Sequence, residues 1–254
     1  MNIVVPIKLV PDLVEELSID PSGSALDATW MRLIINEFDD HAIEQAILLK
    51  ESEGGSVTVI APDAEGIDDM LFTAAAKGAD RIIKLMVEPG EALNNHALGT
   101  ILASTIKGLQ PDIVLTGVQA HNDLDGPVGP LLAEYLGMPY IGYISGVKLD
   151  SGKASVRKEY PGGLIAEMQA NLPVVLGIQA AEKPPRYVPI SKVRQAMKTS
   201  TIEEQTVAAA ESGGGPIVNR MFQPEAAVRA TMIEGSTEEI AARIVEIIKE
   251  QGAL

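Results

Sequence analysis

The sequence predicts an α/β fold, with a doubly wound parallel sheet, an antiparallel extension and a C-terminal arm. Over residues 1–137, short apolar runs alternate with segments of helical period, which is typical of parallel strands joined by crossover helices. Beyond residue 140, short strands follow one another across tight turns, as they do in antiparallel hairpins. A stretch rich in alanine and glycine then separates one last amphipathic helix from the rest.

The first half of the chain supplies four strands and four helices in alternation. The predicted strands are 3–7, 56–61, 81–85 and 112–115, and the predicted helices are 36–53, 66–77, 93–109 and 130–137. Asn36 or Asp39 can cap the first helix, because short polar side chains accept hydrogen bonds from free N–H groups there. Residues 11–27, with a turn at 20–23, are expected to cross the surface.

The second half begins with a hairpin. Strands 147–149 and 154–157 flank a turn at 150–153, and strands 164–169 and 173–179 complete the antiparallel extension. Three prolines within residues 184–189 then exclude a helix or a central strand. This proline-rich segment, residues 183–191, is either an exposed docking element that presents Tyr187, Val188 and Ile190, or a buried crossover.

Two parts of the chain follow from these patterns. Residues 1–198, with the candidate docking segment at 183–198, form the α/β domain, and residues 199–254 form a linker and a C-terminal arm. The linker is predicted at 199–216. Ser236 and Glu239 have the spacing of a capping box. The helix that they begin carries four isoleucines on one face, which we expect to lie on another subunit.

Composition excludes several classes of function. A net charge of −15 disfavours nucleic acids and anionic membranes. No apolar run reaches the roughly 18 residues of a membrane span, so direct membrane insertion is not expected. Without a recognisable signal peptide or any cysteine, a cytoplasmic protein is expected. The three histidines are scattered, and no nucleophile and base stand together, so we expect neither a metal site nor catalytic residues.

The loop at 115–129, LTGVQAHNDLDGPVG, is the strongest candidate site. It joins a buried strand to a helix, and ligands of parallel sheets collect at the carboxyl ends of strands. Pro127 suits the first helical turn, which leaves the N–H groups of Gly126, Val128 and Gly129 free to hold a phosphate. The loop is neither a P-loop nor a G-x-G-x-x-G motif, so a ligand-free connection stays open.

Eight short motifs occur in a characteristic order along the chain. They are VPIK from Val5, NEFDDHAIEQA from Asn36, AKGADR from Ala76, GVQA from Gly117, RKEYPGGL from Arg157, NLPVV from Asn171, KPPRY from Lys183 and RATMIEG from Arg229. In this order the chain resembles the beta subunits of electron-transfer flavoproteins, and most closely the bacterial branch that serves dehydrogenases such as trimethylamine dehydrogenase.

The resemblance implies a Rossmann-like fold of the adenine-nucleotide-binding type and a function. Such a chain would pair with an alpha subunit that holds the redox-active FAD, and it would bind AMP in a structural role. It would not be an enzyme by itself. The heterodimer would receive electrons from a primary dehydrogenase and pass them to a membrane quinone oxidoreductase or a similar acceptor.

Positions that match the family's functional residues follow from the same resemblance. Pro6 and Ile60 would meet the adenine through their backbone, Leu13 would lie near the flavin of the alpha subunit, and Tyr187, Val188 and Ile190 would dock on the dehydrogenase. Asp123 and Asp125 would orient the loop or meet the ribose. The full set for AMP is Pro6, Asn36, Glu37, Phe38, Asp39, Ile60, Gly117, Val118, Gln119, Ala120, His121, Asn122, Asp123, Leu124, Asp125, Gly126, Pro127, Val128 and Gly129. The chain departs from the family pattern at Gly126-Pro127, at Ile60-Ala61 and at Leu13, where many relatives have a tyrosine.

Two alternatives remain. In an electron-bifurcating flavoprotein, the same site would hold a second FAD, and Val128-Gly129-Pro130 resembles that group, although the motif at Asn36 does not. An adenine-nucleotide-binding enzyme or sensor of the same fold would need a phosphate loop of Ser-Gly-Gly-x-Asp-Ser character, which the sequence lacks.

Overall fold

The computed structural model describes residues 1–87, 93–150, 152–208, 216–224 and 230–252. The chain forms two compact units, Met1–Asn219 and Arg220–Leu254. The strands of the first unit are β1 (Asn2–Pro6), β2 (Leu9–Pro11), β3 (Leu33–Ile35), β4 (Ser56–Pro62), β5 (Arg81–Val87), β6 (Ile113–Gly117), β7 (Tyr140–Asp150), β8 (Lys153–Tyr160), β9 (Leu164–Asn171), β10 (Val174–Ile178) and β11 (Ile202–Val207). Its helices are α1 (Glu37–Glu53), α2 (Ile67–Lys77), α3 (Asn95–Leu109), α4 (Val128–Leu136) and α5 (Ile190–Thr199), and the second unit contains α6 (Thr237–Glu250).

The main sheet has the strand order β11-β5-β4-β1-β6-β10-β7-β8-β9. All neighbours from β11 to β7 are parallel, and β7, β8 and β9 are antiparallel. Side chains alternate across β1, so Ile3 and Val5 pack with α1 and α2 on one face, and Val4 packs with α3 and α4 on the other. Helices on both faces of a mostly parallel sheet confirm the predicted α/β class.

The last apolar strand differs from its prediction. β10 was expected in the antiparallel extension, but it lies inside the parallel sheet between β6 and β7. All five of its residues are buried. An unbroken apolar run is what a strand covered on both faces requires, and the sequence of β10 is such a run.

Part of the predicted linker is also a strand. Within 199–216, β11 pairs in parallel with β5 at the edge of the sheet. Arg81 on β5 donates to Glu203 on β11, with Nη2 and Oε2 2.7 Å apart, and Lys84 is 3.0 Å from a carboxylate oxygen of Glu204. Charged side chains are common on edge strands, and here they concealed the strand pattern. Residues 209–215 of the predicted linker lie outside the described residues.

A small antiparallel ribbon precedes α1. Leu9–Pro11 pairs with Leu33–Ile35, and of the segment 11–27, which was expected to cross the surface, only Pro11 belongs to this ribbon. The predicted turn at 20–23 is present, since the N–H of Gly23 donates to the carbonyl of Asp20 at 3.0 Å.

The second unit confirms the predicted capping box. The N–H of Glu239 donates to Ser236 Oγ, and the carboxylate of Glu239 accepts from the N–H of Ser236 at 2.8 Å. No residue of α6 is buried in this chain. Among the helices that the structure describes, none combines the length and the apolar character that a membrane crossing requires.

Candidate functional site

A cleft opens at the carboxyl ends of β1 and β6, where the loop 115–129 begins. It encloses about 330 Å³ of space between the atoms, part of which is open solvent. Its lining residues are Pro6, Ile7, Lys8, Asn36, Asp39, Leu98, Leu102, Thr116, Gly117, Gln119, Ala120, Asp123 and Val128. The cleft therefore lies where parallel sheets bind ligands.

Asp39 joins the two strand ends that form the cleft. Its carboxylate accepts hydrogen bonds from the N–H of Lys8 at 2.9 Å and from the N–H of Gly117 at 3.0 Å. The side chain is buried in the first turn of α1, and this burial raises the pKa of Asp39 to about 6, although the hydrogen bonds oppose the rise. The carboxylate thus fixes the backbone of the cleft.

Asn36 precedes α1, but its side chain does not cap the helix. Its Nδ2 instead donates to the carbonyl of Gln119 at 2.9 Å. The expectation that Asn36 or Asp39 caps α1 was therefore wrong, because both side chains are used across the cleft, on the loop and on the strand ends.

Asp123 organises the interior of the loop. One carboxylate oxygen accepts from Lys8 Nζ at 2.6 Å and from Asn95 Nδ2 at 2.7 Å, and the other accepts from the N–H of Ala120 at 2.7 Å. Asn95 Nδ2 also donates to the carbonyl of Gly126 at 2.8 Å. The start of α3 is therefore tied to the loop through one carboxylate. Asp125 does the same more weakly, accepting from the N–H of His96 at 3.2 Å.

Helix α4 begins at Val128, two residues before the predicted start at residue 130. Pro127 is extended, with φ −70° and ψ 148°, and stands at the cap position. Proline has no N–H, so neither Pro127 nor Pro130 can donate at this helix start. The N–H groups of Val128 and Gly129 remain as the backbone donors of the first turn.

Two glycines are required for close contacts around the cleft. A Cβ on Gly117 would lie 2.4 Å from Asp39 Oδ1, and a Cβ on Gly129 would lie 2.7 Å from Thr116 Oγ1. Tyr140 packs against the same side of Gly129, where an added Cβ would be 3.0 Å from its ring. Burial raises the pKa of Tyr140 to about 12, so its hydroxyl stays neutral.

The structure brings together part of the predicted set. Predicted residues that line the cleft are Pro6, Asn36, Asp39, Gly117, Gln119, Ala120, Asp123 and Val128. Asn122, Leu124 and Asp125 line a neighbouring open groove that shares Lys8 and Leu98 with the cleft. Predicted residues outside both linings are Glu37, Phe38, Ile60, Val118, His121, Gly126, Pro127 and Gly129. The carbonyl of Ile60 accepts the N–H of Ile7 at 2.8 Å, so this predicted adenine contact is already used inside the fold.

Five lining residues are absent from the predicted set of AMP contacts, although one of them, Thr116, lies in the predicted loop 115–129; the five are Ile7, Lys8, Leu98, Leu102 and Thr116. Lys8 is the second residue after β1, and Thr116 is the penultimate residue of β6. The position of Lys8 and Thr116 near the carboxyl ends of parallel strands could have identified them as site residues. The leucines come from the buried face of α3, where helical spacing marks them only as core.

The proline-rich segment lies on α1. Arg186 donates from Nη2 to Glu44 at 2.9 Å and from Nη1 to Glu51 at 2.7 Å. These hydrogen bonds, to Glu51 first and then to Glu44, raise the pKa of Arg186. Tyr187 is 86% exposed and Ile190 is 68% exposed, whereas Val188 is half-buried. Helix α5 begins at Ile190, so the segment expected to be non-helical to residue 191 ends at Pro189.

Leu13 lies at the exposed end of the β2–β3 ribbon. It is 62% exposed, and Val14 and Trp30 on the same connection are more than 90% exposed. Its place near a flavin stays a prediction.

Known proteins resemble this chain over nearly its whole length. The family model of the electron transfer flavoprotein domain matches residues 31–211. The electron transfer flavoprotein subunit beta of Methylophilus methylotrophus is 34% identical over 262 residues and covers 98% of each chain. The subunit of the same name from Clostridium acetobutylicum is 33% identical over 258 residues, covering 99% of each chain. That from Bacillus subtilis is 27% identical over 258 residues.

The chain belongs to the electron transfer flavoprotein family. The named relatives are all its beta subunits.

The electron transfer flavoprotein domain match contains most of the cleft and the proline-rich segment. It begins ahead of α1 and ends beyond β11, so it includes Asp39, the loop and Arg186. β1 and Lys8 precede the matched domain, but the beta subunits of the named relatives align with this part of the chain as well, since they cover nearly all of it.

Proposed function

We propose that this chain is the beta subunit of a heterodimeric electron-transfer flavoprotein and that its cleft binds AMP in a structural role. The main observation behind this proposal is the cleft at the carboxyl ends of β1 and β6, in a chain that matches beta subunits over nearly its whole length. Because the relatives are named as subunits of an electron transfer flavoprotein, the chain would act as an electron-transfer subunit and not as an enzyme by itself.

The residues of the cleft suit a nucleotide. Asp39 and Asn36 hold the backbone of the strand ends and of the loop in place, which preorganises the site. The side chains of Leu98 and Leu102 supply an apolar wall for a base. At the start of α4, the N–H groups of Val128 and Gly129 and the positive end of the helix dipole would hold the phosphate.

The partners follow from the family and from the exposed residues. An alpha subunit would hold the FAD, which supplies the redox chemistry when bound. Electrons would come from a primary dehydrogenase, which Tyr187 and Ile190 would contact with Val188 beside them, and would leave to a membrane quinone oxidoreductase. Leu13, at the tip of the ribbon, would face the flavin-bearing part of the alpha subunit. The arm with α6, whose apolar residues are not buried here, would pack on the alpha subunit.

A second candidate has one observation in its favour. The cleft shares Lys8 and Leu98 with the neighbouring groove, so the two form a larger connected surface that a longer dinucleotide could occupy. An electron-bifurcating flavoprotein would bind a second FAD there.

The test is the nucleotide content of the complex purified with its alpha subunit. The complex is denatured, and every released nucleotide is identified and counted per heterodimer. One FAD and one AMP are expected. Two FAD and no AMP would place the chain in the bifurcating class, and one FAD alone would contradict a nucleotide role for the cleft.

A further inference from the structure

Thr116 is buried without a hydrogen-bond partner. It is 2% exposed, and of the buried side-chain polar atoms in the described part of the chain, only its Oγ1 lacks a partner. A buried hydroxyl normally finds a partner, because leaving it unpaired costs free energy. This exception therefore calls for a function.

The hydroxyl lies beside the start of α4. Thr116 lines the cleft, and a Cβ on Gly129 would lie 2.7 Å from its Oγ1. Pro127 and Pro130 supply no N–H to this first turn, which leaves the N–H groups of Val128 and Gly129. The threonine hydroxyl can donate one more hydrogen bond at the same place.

Charge also restricts where an anion can bind in the cleft. Asp39 and Asp123 line it, and their carboxylates repel a phosphoryl group. Lys8 is engaged by Asp123 and by Asn95 Oδ1, at 2.6 and 3.2 Å from its Nζ. Within the described lining, the start of α4 with Thr116 combines free donors with a favourable helix dipole.

We propose that Thr116 is a ligand-binding residue whose hydroxyl donates to the phosphoryl group of the bound nucleotide, beside the N–H groups of Val128 and Gly129. The proposal rests on the proposed function, since it assigns the phosphate end of the same site. Thr116 supplies a donor at a helix start from which two prolines remove N–H groups.

The test compares AMP with adenosine. Thr116→Val removes the hydroxyl and keeps the β-branched shape that suits a strand. Dissociation constants are measured by calorimetry on the heterodimer stripped of nucleotide. We expect AMP binding to weaken roughly ten- to hundredfold, as for a lost hydrogen bond to a charged group, and adenosine binding to stay within about twofold. Thr116→Ser should restore much of the AMP affinity, and Thr206→Val on exposed β11 should change neither.

A second readout separates binding from folding. Without nucleotide, Thr116→Val should unfold at the same or a higher temperature than the wild type, because it no longer buries an unpaired hydroxyl. A threonine with a merely structural role would give a lower temperature. If the valine variant does not fold, Thr116→Ala provides the same comparison of AMP with adenosine.

Three results would overturn the inference. Thr116→Val could bind AMP as tightly as the wild type, so that the hydroxyl makes no contact. It could lose AMP and adenosine equally, so that the hydroxyl serves the nucleoside. If the wild-type heterodimer binds no AMP, the proposed function itself is wrong. This result is seen with the wild type alone, so it is distinct from a failure of the Thr116 proposal.

Discussion

The guanidinium of Arg186 and the carboxylate of Glu44 form a bidentate pair, with Nη2 2.9 Å from Oε1 and Nε 3.0 Å from Oε2. The backbone N–H of Arg186 donates to the same carboxylate at 2.9 Å. Glu44 is 2% exposed in the middle of α1, and Asp39 in the first turn of this helix fixes the cleft. A single helix thus supports both the candidate nucleotide site and the candidate docking segment.

Glu44→Gln should destabilise the protein. Glutamine offers one carbonyl oxygen and turns an N–H₂ group towards the guanidinium, so Arg186 loses the buried one of its two carboxylate partners and keeps only the exposed Glu51. We expect the free energy of unfolding to fall by about 2–3 kcal/mol, as measured by urea denaturation. The matched control is Glu51→Gln, whose side chain is 55% exposed and should cost less than about 1 kcal/mol. Equal losses from the two variants would contradict the role assigned to Glu44.

Ile190→Ala should weaken docking to the dehydrogenase without changing nucleotide content. An exposed aliphatic side chain on a fixed segment can act as an anchor, and truncation of such an anchor weakens binding by roughly tenfold or more. The measurement is the KM for the heterodimer as electron acceptor of the dehydrogenase, with Tyr187→Ala examined in parallel. Met197→Ala, also exposed and on the same helix, is the control. An unchanged KM for both Ile190 and Tyr187 variants would mean that this segment is not the docking surface.

Gly117→Ala should disrupt the cleft. The added Cβ would lie 2.4 Å from Asp39 Oδ1 and 2.9 Å from Asn36 Nδ2, so the bonds that hold the strand end must break. We expect the free energy of unfolding to fall by about 2–4 kcal/mol. We also expect the variant to lose its bound nucleotide. Gly108→Ala is the control, because a Cβ there meets nothing within 4 Å on α3 and should be neutral or stabilising. Similar behaviour of the two variants would refute the close packing at Gly117.

The ionisation of Asp39 should make the free energy of unfolding depend on pH. Burial raises its folded pKa from 3.8 to about 6, so the native state binds this proton more tightly than the unfolded state. Its contribution is complete below about pH 4 and is lost as the pH rises through 6. The stability of the wild type relative to Asp39→Asn should therefore fall by about 2 kcal/mol from pH 4 to pH 7, then stay nearly constant. Urea denaturation across this range tests it, and a relative stability that rises with pH would show that the N–H groups of Lys8 and Gly117 dominate.

The sequence alone specifies most of the α/β unit. Apolar runs and helical spacing predicted β1, β4, β5, β6 and the helices between them, because each element buries a face whose period is visible in the chain. The capping box at Ser236 was equally local, and the structure contains it. The motifs that indicated the family are likewise a property of the sequence, and the comparisons agree with them.

Tertiary structure decided what depends on neighbours distant in the chain. The sequence of β10 predicted one more strand of the antiparallel extension. Its place inside the parallel sheet depends on its pairing with β6 and β7. β11 is charged, and it becomes a strand because β5 offers an open edge, where Lys84 lies opposite Glu204 and Arg81 forms an ion pair with Glu203. The unpaired hydroxyl of Thr116 depends on the packing of β6 against the start of α4, where Thr116 meets Gly129, 13 residues further along the sequence. Local patterns fix which segments are helices and strands, whereas hydrogen-bond satisfaction in a site is set by the assembled fold.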